Sequence, residues 1–173
     1  MAVSRADVVD QNFIKGLNAL ESPDVRSDLD TPVNAQSRLT GRQAISIFCS
    51  MVESRHLDFQ SRELKKSNQS FYTIGSSGHE GNAAVAAALR PTDSAFLHYR
   101  SGGFFIQRAR QLPGQTPLLD VLLGIVASAD EPIAGGRHKV FGSRTLNIPP
   151  QTSTIASHLP KAVGAAFAIE RMK

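Results

Sequence analysis

Three short segments carry polar side chains of the kinds that bind phosphate, and in each a short apolar or turn segment runs into a helix-forming one. They are residues 78–81 (Gly-His-Glu-Gly), residues 98–101 (His-Tyr-Arg-Ser) and residues 152–154 (Thr-Ser-Thr). Free backbone N–H groups at a helix start attract anions, and an arginine or a hydroxyl group adds directed hydrogen bonds. Together the three segments predict a phosphate-binding edge.

The second segment joins a predicted buried strand, Ala95–Leu97, to a predicted helix that opens at Gly102-Gly103. An arginine at this place can bind a phosphate through two parallel hydrogen bonds, and the hydroxyl group of Tyr99 can donate another from the side. The alternative is a strand end whose Tyr and Arg make ordinary surface hydrogen bonds. Spacing alone favours that alternative, whereas the neighbouring segments favour the phosphate site.

The other segments have plain structural alternatives beside their functional interpretation. His79 is a candidate catalytic residue in a glycine-rich turn, although Glu80 near a helix start is also common in ordinary helices. Ser153 belongs to a run of three hydroxyl residues, and a helix N-cap needs only one. A basic loop over residues 135–139 (Gly-Gly-Arg-His-Lys) adds His138 as a second catalytic candidate, with a solvated loop as its alternative.

Metal and hydrolase chemistry have little support in the residues. The five histidines show no paired spacing with one another or with a carboxylate, and one cysteine cannot build a zinc site. No metal ligand is therefore assigned. The Gly-x-Ser-x-Gly motif of serine hydrolases does not occur in the sequence.

The composition is that of a globular protein and disfavours nucleic-acid-binding and membrane classes. Of 173 residues, 41% are hydrophobic and 20% are charged, and the net charge of +4 comes from scattered basic residues. Aromatic residues make up only 6%, which disfavours a base-stacking surface. No apolar run is long enough for a membrane span, and the first residues lack a secretory pattern, so we expect a cytoplasmic protein.

Hydrophobic spacing predicts an N-terminal helix and polar arm over residues 1–38 and one domain over residues 39–173. A second helix is predicted from an N-cap at Thr40 to about Lys66, where residues such as Ile45, Phe48 and Leu57 keep a three-to-four spacing. Strands are predicted at Phe71–Ile74 and Ala95–Leu97. The other predicted elements are helices over 4–20, 82–89, 102–110, 117–127 and 154–173, and a loop over 130–151.

Taken in order, these segments resemble the alpha chain of thiamine-diphosphate-dependent 2-oxo acid dehydrogenases. The resemblance covers residues 40–173 and is most specific at residues 96–102 and 153–166. It implies an α/β fold, of which this chain would be the N-terminal, mostly helical part of a three-layer thiamine-diphosphate-binding domain. Residues 136–142 are more similar to bacterial members whose alpha and beta chains are fused.

The resemblance also implies which residues contact the cofactor. In that family a Tyr-Arg pair binds the phosphate groups, and it corresponds to Tyr99 and Arg100. The preceding residue also contacts the cofactor, and here it is His98. Ser153 and Ile155 correspond to residues that contact the phosphate and aminopyrimidine regions.

The family's Mg²⁺ bridges the diphosphate oxygens and is held by the Asp of a Gly-Asp-Gly motif and by a later Asn. No Gly-Asp dipeptide occurs in the 173 residues. We therefore expect a fragment truncated before the metal motif, inactive alone, whose complete enzyme uses thiamine diphosphate with Mg²⁺.

The resemblance implies a reaction and partners for that complete enzyme. The reaction is decarboxylation of a 2-oxo acid, pyruvate or a branched-chain one, followed by acyl transfer to lipoyl-lysine. The implied partners are a beta chain or beta domain and the lipoyl acyltransferase of a multienzyme complex, and we expect a homo-oligomer. The alternative is a non-catalytic helical module that binds a partner protein or a small anion.

Overall fold

A computed structural model describes residues 4–22, 28–71, 73–138 and 140–172, and the chain divides into two compact units. The first unit, residues 1–41, contains helix α1 over Arg5–Asn18. The hydroxyl oxygen of Ser4 accepts a hydrogen bond from the backbone N–H of Ala6 over 3.2 Å, and so caps the first turn. Since no residue of α1 is buried, local hydrogen bonds rather than a core define this helix.

Five further helices follow within the described ranges, and the second unit, residues 42–173, holds all of them except the first residue of α2. Their bounds are Gly41–Lys66 for α2, Asn82–Ala88 for α3, Gly102–Ala109 for α4, Pro117–Ile125 for α5 and His158–Arg171 for α6. Within the described residues, no helix is both long and apolar enough to cross a membrane.

The core of the second unit forms around α4, whose eight residues are all buried. Three consecutive large apolar side chains, Phe104–Ile106, lie in this helix, so neighbouring segments must cover it on every side. Helix α3 packs against it through Ala83 and Ala86, whose small side chains allow a close approach. Other elements complete the core with Leu57, Val121, Ile125, Phe141, Leu146 and Ile148.

The structure contains no strand in the described ranges, so the two predicted strands are wrong and the second unit is a small helical domain. Ala95 and Leu97 are buried as expected, but Phe71 is 83% exposed, and Tyr72 lies outside the described residues. A strand requires a neighbour that pairs its N–H and C=O groups. Ala95 donates one such bond, to the carbonyl oxygen of Asn147, and no ladder continues from it. The implied α/β class of the whole family fold stays a prediction.

The buried face of α2 is mainly polar. Ile45 and Phe48 are 50% and 45% exposed. The helix instead buries a stripe of mainly polar residues with the same three-to-four spacing: Ser50, Ser54, Arg55, Leu57, Asp58 and Ser61. Periodicity therefore located the helix, whereas of these apolar residues Leu57 is buried and Ile45 and Phe48 are not.

The C-terminal helix starts later than predicted. Helix α6 begins at His158, because residues 155–157 form a turn. None of its residues is buried, and the apolar side chains of Leu159, Val163 and Phe167 are all more than half exposed. The described part of residues 130–151 forms the loop that the sequence predicts, with one isolated bridge between Ser143 and Ile148.

Candidate functional site

The residues predicted to bind phosphate lie in a tight turn, residues 98–101, that leads into α4. The backbone N–H of Ser101 donates to the carbonyl oxygen of His98 over 2.9 Å. The Ser101 hydroxyl oxygen accepts the N–H of His98 over 3.2 Å, and Nδ1 of His98 accepts the N–H of Arg100 over 3.2 Å. These bonds fix His98 and Arg100 relative to the start of α4.

The side chain of Arg100 reaches from this turn to the segment before α3. Its Nη1 donates to the carbonyl oxygen of Gly75 over 2.6 Å, and its guanidinium lies 5.4 Å from the centre of the Tyr99 ring. Among the described residues, no carboxylate forms an ion pair with Arg100. A half-buried positive charge thus stands where the sequence predicts a phosphate ligand.

Polar residues of α2 hold the segment that Arg100 contacts. Both carboxylate oxygens of Asp58 accept the backbone N–H of Ser76 at 2.9 Å, and one also accepts the Ser76 hydroxyl at 3.1 Å. The Ser54 hydroxyl donates to the Ser76 hydroxyl oxygen over 2.8 Å. A Cβ atom on Gly75 would lie 2.8 Å from the Asp58 carboxylate, so this close approach requires glycine.

A buried ion-pair network also holds the 75–81 segment. Together with the bonds of Ser54 and Asp58 to Ser76, it forms an arrangement that we call the clamp. Nη1 of Arg55 lies 2.7 Å from Asp58 Oδ2, and Nε of Arg55 lies 3.3 Å from Glu80 Oε1. The Arg55 side chain is only 3% exposed, so these carboxylates supply the partners that a buried charge requires. Helix α2 is thereby connected to both ends of the 75–81 segment.

Two glycines at the start of α4 bring it close to α2 and to the 75–81 segment. A Cβ atom on Gly102 would lie 2.6 Å from the hydroxyl oxygen of Ser54, and one on Gly103 would lie 2.7 Å from the carbonyl oxygen of Glu80. Any larger residue would force the segments apart. The glycine pair that the sequence indicates as a helix opening therefore also serves close packing.

A cavity of about 20 Å³ lies beside Ser76, Tyr99 and Arg100. This volume is enough for a water molecule, so a diphosphate does not fit inside it. The donor chemistry does fit a phosphate, because the Arg100 guanidinium lies 5.4 Å from the centre of the Tyr99 ring and no described carboxylate forms an ion pair with it. Tyr99 and Arg100 are half-buried rather than covered. These donors therefore fit the phosphate end of thiamine diphosphate from their solvent-accessible side.

Ser153 and His138, which the sequence singled out separately, lie in contact. Nε2 of His138 is 3.1 Å from the Ser153 hydroxyl oxygen and accepts the Ser153 backbone N–H over 3.3 Å. Because Nε2 accepts this bond, the ring proton of the neutral His138 lies on Nδ1. Ile155 follows in the chain and is 78% exposed. Neither Ser153 nor Ile155 lines the cavity beside Arg100, and their cofactor roles stay predictions.

A cluster of three histidines forms on another side of the 98–101 turn. The ring centre of His98 lies 5.4 Å from that of His79 and 5.7 Å from that of His158. Burial lowers the pKa of His98, and the charges of His79, His158 and Arg100 lower it further. Within the described ranges, no group of three or more His, Cys, Asp or Glu side chains is placed to hold a metal ion.

The sequence analysis did not identify the clamp residues Ser54, Arg55 and Asp58. It also did not predict that His158 and His98 lie close together. A signal for the clamp was available, because serine and aspartate recur at three-to-four spacing along α2. No local signal could indicate the histidine cluster, because its members are far apart in the sequence and the fold alone brings them together.

Comparison with curated proteins finds similar proteins of the class that the sequence resembles, the alpha chains of 2-oxo acid dehydrogenases. The mitochondrial alpha subunit of 2-oxoisovalerate dehydrogenase from Mus musculus is 24% identical over 171 residues, which are 98% of this chain and 37% of that protein. Alpha subunit 2 from Arabidopsis thaliana is 30% identical over 132 residues, 75% of this chain and 27% of that protein. The alpha subunit from Bacillus subtilis is 29% identical over 135 residues, 75% of this chain and 39% of that protein. No family model matches the chain.

These similarities confirm the resemblance to the alpha chains of 2-oxo acid dehydrogenases, and this chain is similar to parts of such proteins. The particular relatives are alpha subunits of 2-oxoisovalerate dehydrogenase. The chain spans about a quarter to two fifths of the length of these relatives.

Proposed function

We propose that this chain supplies the phosphate-binding part of a thiamine-diphosphate-dependent 2-oxo acid dehydrogenase. The observation that carries the proposal is the placement of Arg100, whose guanidinium has no carboxylate partner among the described residues and is held by a buried clamp. Tyr99 and Arg100 occupy the positions that the resemblance assigns to phosphate binding. Thiamine diphosphate, when bound, supplies the carbon nucleophile for decarboxylation of a 2-oxo acid.

The proposal gives the candidate residues separate roles in cofactor binding and proton transfer. Arg100 binds phosphate oxygens through charge-assisted hydrogen bonds, and the Tyr99 hydroxyl donates an additional one. The bond from Arg100 to the Gly75 carbonyl oxygen restricts the orientation of the guanidinium before the ligand arrives. Ser153 and Ile155 contact the cofactor from the exposed segment before α6. His79 and His138 are the candidates for proton transfer.

The proposal includes Mg²⁺ and protein partners that this chain does not supply. With no Gly-Asp-Gly motif in the sequence, the 173 residues provide phosphate anchors and not the metal ligands. A beta chain or beta domain and a lipoyl acyltransferase complete the complex. The exposed apolar side chains of Ile155, Leu159 and Phe167 support a protein contact on this part of the chain, because such groups commonly mark interfaces. A cytoplasmic location belongs to the same proposal.

Calorimetric titration of thiamine diphosphate with Mg²⁺ into the complete enzyme, which contains this chain together with the metal motif and the beta chain or domain, tests the proposal. We expect Arg100→Ala to weaken binding by about 2–4 kcal/mol, because a charge-assisted contact is lost. Arg100→Lys should restore only part of this, since an ammonium lacks the planar fork. Arg110→Ala is the matched control, because Arg110 lies at the end of α4 and forms a surface ion pair with Glu53.

Equal losses from Arg100→Ala and Arg110→Ala would show a general effect of positive charge rather than a site. An unchanged affinity in Arg100→Ala would overturn the proposal and leave the non-catalytic helical module as the better function.

A further inference from the structure

Helix α6 has an apolar side that stays largely exposed in the described structure. None of its residues is buried, and it packs against none of the other described helices. Leu159, Val163 and Phe167 follow one another at four-residue spacing, so they lie along one side of the helix, and each is more than half exposed. An isolated helix of 14 residues is only marginally stable in water, because helices in proteins gain most of their stability from packing of an apolar face. This side of α6 therefore needs a partner surface.

The same side of α6 ends in a cation. Arg171 continues the four-residue spacing, and its guanidinium carbon lies 4.6 Å from the centre of the Phe167 ring. The Arg171 side chain is itself exposed. We call the four residues Leu159, Val163, Phe167 and Arg171 the α6 ridge. A partner that complements this ridge must offer an apolar surface with a carboxylate at one end.

A surface of that composition lies on the same chain, in a groove between α2 and α5. The groove has a volume of about 350 Å³. Its apolar wall consists of Leu57, Phe59, Leu118 and Leu122, and its polar rim consists of Glu53, His56, Gln60 and Glu63. Among the described residues that line it, two are carboxylates and none is a lysine or an arginine. We call this surface the α2–α5 groove.

The ridge and the groove also agree in length. Glu53 and Glu63 are ten residues apart on α2, a rise of about 15 Å, and the α6 ridge extends over twelve residues, a rise of about 18 Å. An apolar helix that binds in a groove through anchors at i and i+4 is a common mode of protein recognition.

Glu63 is the carboxylate that is more available to Arg171. Its side chain is 63% exposed, and its ion pair with Lys66 lies at the surface, where such pairs contribute at most about 1 kcal/mol. A carboxylate has lone pairs for a second cation, so this pair does not prevent another. Glu53 is less exposed and already pairs with Arg110. The ridge therefore fits with its Arg171 end at Glu63.

We propose that the α6 ridge of one copy of this chain binds in the α2–α5 groove of a second copy, with Arg171 against Glu63. Helix α6 does not pack against α2 or α5 of its own chain, so the groove is open to another copy. A contact between two different surfaces closes a dimer when both ridges are exchanged, and otherwise continues through further copies. The interface goes beyond the proposed function, because no residue proposed for cofactor binding or proton transfer belongs to the ridge or the groove.

Sedimentation velocity of the 173-residue chain over a series of concentrations tests the proposal, and we expect the wild-type chain to associate. Phe167→Asp in the ridge and Leu118→Asp in the groove should each weaken association at least about a hundredfold, because each places a charge in an apolar contact. Val85→Asp is the control, since Val85 is a comparably exposed apolar residue on α3 that belongs to neither surface. All three residues are exposed, so the core stays intact, and far-ultraviolet circular dichroism checks this.

A mixture of the two interface variants gives the most specific test. The Phe167→Asp chain keeps an intact groove, and the Leu118→Asp chain keeps an intact ridge. We therefore expect each variant alone to stay monomeric and the mixture to form a one-to-one dimer that grows no further. Pairing of α6 with α6, or of groove with groove, would give no such recovery on mixing.

Charge reversal tests the orientation of the ridge. Arg171→Glu and Glu63→Lys should each weaken association at least about tenfold, because each brings like charges together. The double variant should recover most of the wild-type affinity, since it restores an opposite pair in reverse. Lys161→Glu is the control, because Lys161 is an exposed cation of α6 that lies outside the ridge.

A wild-type chain that stays monomeric at every concentration would overturn the proposal. Association that Leu118→Asp leaves unchanged, or a mixture of the two interface variants that stays monomeric, would do the same, because the partner of α6 would then lie elsewhere. A double charge variant without recovery would overturn the assigned pair of Arg171 and Glu63. The cofactor affinity of Arg100→Ala reports on the proposed function alone, so a failure of either proposal is seen separately.

Discussion

The Asp58 carboxylate accepts the backbone N–H of Ser76 on both of its oxygens, each 2.9 Å away. These residues are 18 positions apart, and their contact joins the longest helix to the segment that receives the Arg100 side chain. Both residues are buried, so the bonds cannot be exchanged for water without opening the domain. The stability of the domain and the orientation of the Arg100 side chain, the candidate phosphate ligand, therefore depend on the same Asp58 carboxylate.

Replacing Asp58 tests this dependence. We expect Asp58→Ala to lower the free energy of unfolding by about 3–5 kcal/mol, because the buried Arg55 guanidinium loses a partner. Urea denaturation followed by circular dichroism measures the change. Glu63→Ala is the control, since Glu63 pairs with Lys66 at an exposed position and should cost less than about 1 kcal/mol. Similar small losses in both variants would mean that Asp58 is solvated.

A second prediction concerns Arg108, which is fully buried on α4. Its Nη1 donates to the carbonyl oxygens of Pro91 at 3.2 Å, Asp93 at 3.0 Å and Leu146 at 3.4 Å, and burial lowers its pKa. Arg108→Ala would leave these carbonyl groups without their donor, so we expect a loss of about 3 kcal/mol in unfolding free energy.

The comparison for Arg108→Ala is Arg110→Ala at the C-cap of the same helix, where the surface pair with Glu53 should contribute less than about 1 kcal/mol. Chemical denaturation of the two variants side by side decides the point. An Arg108→Ala chain as stable as Arg110→Ala would show that this arginine does not connect the loops to α4.

A third prediction uses the close approach at Gly103. A Cβ atom there would meet the backbone carbonyl oxygen of Glu80 at 2.7 Å, and backbone cannot move aside as a flexible side chain can. Gly103→Ala should therefore lower the melting temperature, at a cost of about 1–3 kcal/mol. Gly164→Ala in α6 has open space around its Cβ position, so it should instead stabilise the helix by up to about 1 kcal/mol. Losses of equal size in the two variants would contradict the assigned contact.

A fourth prediction concerns pH. The pKa of His98 is lower in the folded chain than its ordinary value of 6.5, chiefly because of burial. The unfolded chain therefore binds more protons, and stability falls as the pH drops through 6.5 and levels off below the folded pKa. His98→Gln removes this contribution while keeping an acceptor for the Arg100 N–H.

Urea unfolding at about pH 8 and about pH 5.5 measures this contribution as the difference between wild type and His98→Gln. The wild-type chain should lose more stability between the two conditions than the variant does. A pH dependence that is the same in both chains would show that His98 does not titrate differently on folding.

The positions of the helices could be predicted from the sequence, because helical periodicity and start signals are local. The prediction placed α2 and α4 within one residue of their observed bounds. The inner face of α2 could not be predicted, because hydrophobicity favoured Ile45 and Phe48, whereas burial was decided by partners for Ser54 and Asp58 elsewhere in the chain. The predicted strands had the composition of strands but no neighbouring strand in the described ranges.

The sequence by itself determined the donors at the start of α4 and the resemblance to a 2-oxo acid dehydrogenase alpha chain, because the donors, and each motif of the resemblance, consist of residues close together along the chain. Only the tertiary structure decided which side chains meet. It placed Arg100 against Gly75, His138 against Ser153, and His98 between two other histidines. These contacts join residues 15 to 60 positions apart, and such pairs form only when the core around α4 fixes the loops that carry them.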